Sequence, residues 1–89
     1  MRRLIITYRD VLPHRRTEHQ TRWRALRDAV VRAGGHAWLF RAESDENLFV
    51  EFVEYRDPAL LNVSDVSEAR LALDEALPDF ERTGWLPAD

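Results

Sequence analysis

Residues 36–55 read His-Ala-Trp-Leu-Phe-Arg-Ala-Glu-Ser-Asp-Glu-Asn-Leu-Phe-Val-Glu-Phe-Val-Glu-Tyr. The two ends of this stretch, His36 to Ala42 and Leu48 to Tyr55, are rich in aromatic and β-branched residues, which suit a pleated, half-buried surface. Between them Glu43-Ser44-Asp45-Glu46-Asn47 is polar and turn-prone. The stretch therefore predicts a β-hairpin. Upstream, Gly34-Gly35 stops whatever precedes it, because glycine accepts the left-handed conformation at a helix end without steric penalty.

What precedes it is a helix. His19, Trp23, Leu26, Val30 and Ala33 recur at steps of four and three and fall on one stripe. Thr17-Glu18-His19-Gln20 fits the capping-box pattern at its start. Farther upstream Leu4 to Tyr8 alternates with period two, a strand that Pro13 ends. Downstream of the hairpin, Arg56-Asp57-Pro58 closes the second strand. A second helix follows from about Asp65 to Leu77, with Ser64 or Asp65 as cap and Val66, Ala69, Leu73, Ala76 and Leu77 inward. Pro78 ends it. A fourth strand near Trp85 would be short, interrupted by Gly84 and stopped by Pro87. The expectation is an α+β βαββα(β) chain: an antiparallel sheet with two helices on one face, forming a single domain over residues 1–89.

With both helices on one face, the other must be polar in a monomer. Neither face is. Leu4, Ile6, Tyr8, His36, Trp38, Phe40, Leu48, Val50 and Phe52 gather on one side, which is expected to meet the helices. The opposite side holds Ile5, Thr7, Arg9, Leu39, Arg41, Phe49, Glu51, Val53 and Tyr55. Its apolar members Ile5, Leu39, Phe49 and Val53 are the expected dimer face, a patch too large to leave wet. Size agrees with that expectation: an 89-residue chain buries only about 60–65% of its unfolded surface. It has no cysteine for disulfides, so association is the remaining aid to stability.

Charge is split along the chain. Residues 1–41 hold ten arginines against three acids, and residues 42–89 hold thirteen acids against three arginines. There is no lysine. The halves can lie against each other, which explains the split without nucleic acid. Phe49-Val50-Glu51-Phe52 matches part of an RNA-recognition motif, but Asp45-Glu46-Asn47-Leu48 stands where a basic, glycine-containing lead-in belongs. An acidic hairpin would repel phosphate. No apolar run reaches the about 7–15 residues of a secretory segment or the about 20 of a membrane span, so a cytoplasmic protein with no membrane partner is expected. His14 and His19 are five residues apart with no third ligand in view, so no metal is expected.

Two constellations are candidates for chemistry. Thr7, Arg9, Arg41, Glu51 and Tyr55 are the polar members of the expected dimer face, with Arg41 and Glu51 on paired strands. A buried carboxylate there requires a partner, and an arginine fork is the usual one. As a site it would bind a small polar or aromatic ligand, with Tyr55 or Glu51 moving a proton. As structure it would be an interfacial ion pair that fixes dimer register. His36, Trp38 and Tyr8 form an aromatic corner on the other face, either a pocket for a flat ligand or core.

Phe49-Val50-Glu51-Phe52-Val53-Glu54-Tyr55-Arg56-Asp57-Pro58-Ala59-Leu60 resembles the dimeric α/β-barrel superfamily, particularly the antibiotic-biosynthesis-monooxygenase-like and NIPSNAP-like domains. Glu54, Tyr55 and Ala59-Leu60 fill the family's strand-ending Glu, its aromatic and the Ala-Leu that opens onto the second helix. The resemblance implies a ferredoxin-like protomer, two sheets closing into a dimeric α/β barrel, and a ligand cavity between sheet and helices or at the barrel centre. It implies cofactor-independent oxidation of an aromatic substrate, hence no cofactor and a homodimer as the assembly. Asn62-Val63-Ser64 replaces a histidine often found after that Ala-Leu, and the first strand lacks the asparagine of the haem-degrading branch. The alternative is a non-enzymatic dimerisation module.

Overall fold

The computed structural model describes all residues 1–89. Strand β1 (Arg3–Asp10) leads through a 3₁₀ turn (Pro13–Arg15) into helix α1 (Arg16–Arg32). The hairpin is β2 (His36–Arg41) and β3 (Leu48–Tyr55). A second 3₁₀ turn (Pro58–Asn62) precedes helix α2 (Ser64–Ala76), and β4 (Glu81–Trp85) follows. The sheet order is β2-β3-β1-β4, with every neighbouring pair antiparallel. This is the split β-α-β arrangement of the ferredoxin-like α+β fold. The short fourth strand forms despite Gly84, pairing Leu4 with Trp85 and Tyr8 with Glu81.

Local chemistry accounts for the joints. Gly34 has a φ of 97°. Its N–H donates to the Val31 carbonyl at 3.0 Å, and the Gly35 N–H donates to Val30 at 2.9 Å. These are the paired bonds of a Schellman end to α1. Asp57 accepts from the Ala59 N–H at 2.9 Å, holding the turn that Pro58 begins. The expected capping box at Thr17 is not used: α1 starts at Arg16, directly from the Pro13–Arg15 turn, with no side-chain cap. Neither Ser64 nor Asp65 caps α2 with its side chain.

The helices cover the sheet face opposite to the expected one. Trp23, Leu26, Ala29 and Val30 of α1 pack with Val66 and Leu73 of α2 and the C-cap residue Leu77 against Val53 and Leu60. Leu39 and Tyr55 pack at the margin of that core. Ile5 lines the same small space as Leu26 and Val30, and Phe49 meets the His19 ring edge-on, with centroids 5.0 Å apart. The expected dimer-face residues Ile5, Leu39, Phe49 and Val53 are thus beneath the helices. The reason is polar rather than apolar. Both faces carry large apolar side chains, but Thr7, Arg9 and Glu51 find partners beyond one another in His19, Asp74, Leu77 and Arg82, all on the helix side of the sheet. Burying a polar group costs little only when it is paired.

No helix is long and apolar enough to cross a membrane.

Candidate functional site

The first arrangement of chemistry-bearing side chains lies between helices and sheet. Arg9 is 1% exposed, Glu51 2% and His19 1%. Arg9 Nε donates to Glu51 Oε2 at 2.7 Å and Nη2 to Asp74 Oδ1 at 2.8 Å, while Nη1 donates to the Leu77 carbonyl. His19 Nε2 sits 2.8 Å from the same Glu51 oxygen, which casts it as the donor to an ionised carboxylate. Arg82 of β4 donates from Nε to Thr7 Oγ1 at 3.0 Å and grips both Asp74 oxygens at 3.0 and 2.5 Å. Two guanidinium groups thus face two carboxylates, with a third, Asp79, 3.8 Å from Arg82.

The cluster also closes α2. A helix leaves its last carbonyls unpaired and carries partial negative charge at that end. Arg15 Nη2 donates to the Ala76 carbonyl at 2.7 Å and Arg9 takes Leu77. Both guanidiniums come from outside the helix they cap. Burial, the largest single influence on Asp74, pushes its carboxyl up, but the hydrogen bonds and charges of Arg82 and Arg9 together outweigh it and hold Asp74 below its ordinary value. The Asp74 hydrogen bond raises Arg82 in turn, against the opposing effect of burial. The space left beside these groups, lined in part by Thr7, Glu51, Leu26 and Val53, measures about 20 Å³. That is room for about one water, not for a substrate.

The second arrangement is the uncovered sheet face. Trp38 is 43% exposed, Phe40 56% and Trp85 54%. Phe40 meets Phe52 edge-on at 5.6 Å, and Tyr8 tilts against Phe80 at 6.1 Å. His36 stacks on Trp38 with centroids 6.0 Å apart and 22° between planes. Cross-strand register aligns Trp85, Leu4, Glu54 and His36 in one row across all four strands. Arg2 donates from Nε to Glu54 Oε2 at 2.7 Å. At this end of the face a trough of about 280 Å³ opens between Trp38 and Trp85, over Leu4 and Phe52. Glu54 also borders a polar recess of about 370 Å³ that contains His36, Tyr55 and Arg56.

The candidates read from sequence therefore divide. Thr7 and Glu51 are brought together, through Arg82, Asp74 and Arg9. Arg41 is not: Leu39, not Arg41, pairs with Glu51, and Arg41 lies exposed at the end of β2 opposite Phe49. Tyr55 packs at the core margin, away from Glu51. His36 and Trp38 do meet, on the open face rather than in the core. Arg9 was already legible as a polar member of its face, but its partners were not. His19 looked like packing because it shares the Trp23 stripe. Asp74 carries a signal only as the residue beside inward Leu73, and Arg82 has none until β4 is paired. No cluster of three or more His, Cys, Asp or Glu could hold a metal ion.

No protein-family model and no curated protein sequence matches the chain. Solved structures do. SnoaB, a cofactor-independent oxygenase from Streptomyces nogalater, superposes with a TM-score of 0.80 at 14% identity, covering 99% of this chain and 94% of its own. A conserved protein from Methanosarcina mazei gives 0.78 at 13% identity, with 96% and 91% covered. A candidate antibiotic biosynthesis monooxygenase from Nitrosomonas europaea gives 0.74 at 15%, with 99% and 89% covered. At such identities the likeness carries the fold. The chain has the ferredoxin-like α+β fold of the antibiotic-biosynthesis-monooxygenase-like proteins.

Proposed function

We propose that this chain works as a homodimer, two sheets packed face to face into an α/β barrel, and that the dimer binds a small organic molecule of aromatic character. The observation that carries this reading is the open sheet face. Trp38, Phe40 and Trp85 stand largely exposed there, beside Leu4, Ile6, Tyr8, Val50 and Phe52 on the same side of the register. A contiguous apolar surface across four strands exceeds what a monomer ordinarily leaves in water. A second copy offers the same surface, which a two-fold axis makes self-complementary.

The ligand half of the reading rests on where space remains. Between helices and sheet the packing is closed around Glu51, so the trough and recess on either side of Glu54, which carry both apolar walls and ionisable groups, are the places to look for a molecule. SnoaB's cofactor-independent oxygenation is the activity to test first. On this chain Glu54 and His36, neighbours in one row, are the groups able to accept a proton from a bound ligand. The closed interior favours a second reading, a dimerisation module with no chemistry. Native mass spectrometry, a thermal-shift screen of aromatic compounds and oxygen consumption with the hits separate the two. A dimer that binds and oxidises an aromatic compound supports the oxygenase reading. A dimer with no shift across the screen leaves the module.

A further inference from the structure

Strand β2 is an outer strand of the sheet, so one side of its backbone has no neighbouring strand. The hydrogen bonds at the hairpin identify the groups left over. The Ala42 N–H donates to the Leu48 carbonyl at 2.8 Å, and the Val11 N–H donates to the Asn47 carbonyl at 2.7 Å. Successive residues of an antiparallel ladder turn their backbone groups to opposite sides. In the observed register Phe40, Trp38 and His36 therefore bond to β3, and Ala37, Leu39 and Arg41 turn their N–H and C=O groups outward. Helix α1 flanks this edge, leaving a groove of about 300 Å³ lined in part by Trp23, Ala37 and Leu39. Its only charged lining residues are Arg24 and Arg27. Arg27 has a carboxylate beside it, Asp28, whereas Arg24 and Arg41 are in no ion pair.

We infer that the β2 edge docks an extended acidic segment of another protein, added antiparallel as a fifth strand. An open edge gives such a segment its affinity through main-chain hydrogen bonds and its specificity through alternate side chains. Residues opposite Ala37, Leu39 and Arg41 share their side of the sheet, the side of α1. There Arg24, Arg27 and Arg41 favour Asp or Glu. The residues between them point to the other side, next to Trp38 and Phe40, and favour apolar side chains. Charge also argues against a second copy as the occupant. Pairing two β2 edges about a two-fold axis sets the arginines of both copies on one side of the ladder, where like charges repel.

The test is calorimetry of the full chain with the peptide acetyl-Thr-Glu-Val-Glu-Val-Glu-Thr-amide and with its analogue carrying glutamine for glutamate. The acidic peptide is expected to bind saturably, one per chain, at least fivefold more tightly than the analogue. The variant carrying Arg24→Gln and Arg27→Gln, folded by far-UV dichroism, should cut that preference below twofold. N-methylation of the three glutamates, whose N–H groups face β2, should abolish binding. N-methylation of the two valines, whose N–H groups face away, should leave affinity within threefold. In hydrogen exchange followed by NMR, the amides of Ala37, Leu39 and Arg41 should exchange fast in the free chain and at least tenfold more slowly with saturating peptide. Equal affinity for the two peptides, no saturation by millimolar peptide, an undiminished preference in the double variant, or binding that survives N-methylated glutamates would overturn the assignment. So would protection of those three amides that rises with protein concentration before peptide is added, which would put a second copy on the edge.

Discussion

Arg9 and Glu51 meet at 2.7 Å although they are not opposite each other: Arg9 pairs with Phe49 across β1 and β3, and Glu51 with Thr7. The contact is diagonal, within reach of long side chains on one sheet face. It lets one guanidinium reach a strand, Asp74 and the end of α2 at once. The ion pair lies on the sheet face that the helices cover and ties both of them to it.

Removing one partner should therefore hurt more than any exposed pair would. Arg9→Met leaves Glu51 buried with only His19, and the Leu77 carbonyl uncapped. The expected loss is about 3–5 kcal/mol, the range for breaking a buried ion pair, read from urea denaturation midpoints at neutral pH. By contrast Arg32→Ala, which removes a solvent-exposed pair with Asp65, should cost less than about 1 kcal/mol. Similar losses from the two variants would contradict the role given to Arg9.

Acid should unfold the chain partly through Asp74. Its carboxyl ordinarily titrates at 3.8 and is lowered in the folded state. A depressed folded value contributes stability that is fully present above the unfolded value, declines as pH falls below it, and is gone below the folded value. Asp74→Asn should lower the urea midpoint at pH 7, and the gap from the parent chain should narrow progressively as pH falls below 3.8. A gap that is constant with pH would show that Asp74 is not held by Arg9 and Arg82.

The paired glycines are fixed by different causes. At Gly34 a Cβ would meet nothing within 4 Å, so Gly34→Ala strains only the backbone, whose φ is 97°, at about 1 kcal/mol. At Gly35 a Cβ would stand 2.7 Å from the Glu54 carbonyl oxygen and 2.9 Å from Leu60 and Val30. Gly35→Ala should cost more, about 1–3 kcal/mol, because backbone cannot step aside. Thermal melts of the two variants check the order.

Element order was legible because each element carries its own punctuation. Gly34-Gly35 ends α1, the acidic run 43–47 turns the hairpin, and Pro58 and Pro78 bracket α2. Facing was not legible. Counting apolar residues put Leu4, Ile6, Trp38 and Phe52 under the helices, yet period-two alternation only separates two faces and does not say which one a helix meets. The answer lay in polar partners from three distant segments, His19 of α1, Asp74 and Leu77 at the end of α2, and Arg82 of β4, which no local pattern links. The same error moved His36 and Trp38 from core to surface. Exchanging the faces leaves the expectation of an exposed apolar face in place and transfers it to a more aromatic surface.

That surface makes its own prediction. Phe40, 56% exposed, lies on the sheet face opposite to the buried ion pairs, so Phe40→Glu should leave the fold intact while placing like charges across a two-fold interface. Size-exclusion elution should shift to that of a single chain with the far-UV spectrum unchanged. An unshifted elution would place the interface elsewhere.

The most direct test of the account is sedimentation equilibrium of the unmodified chain at micromolar concentration. The account predicts twice the chain mass, because the indoles and phenyl rings of the open face need a second copy to leave water. A folded species with the mass of one chain would contradict it.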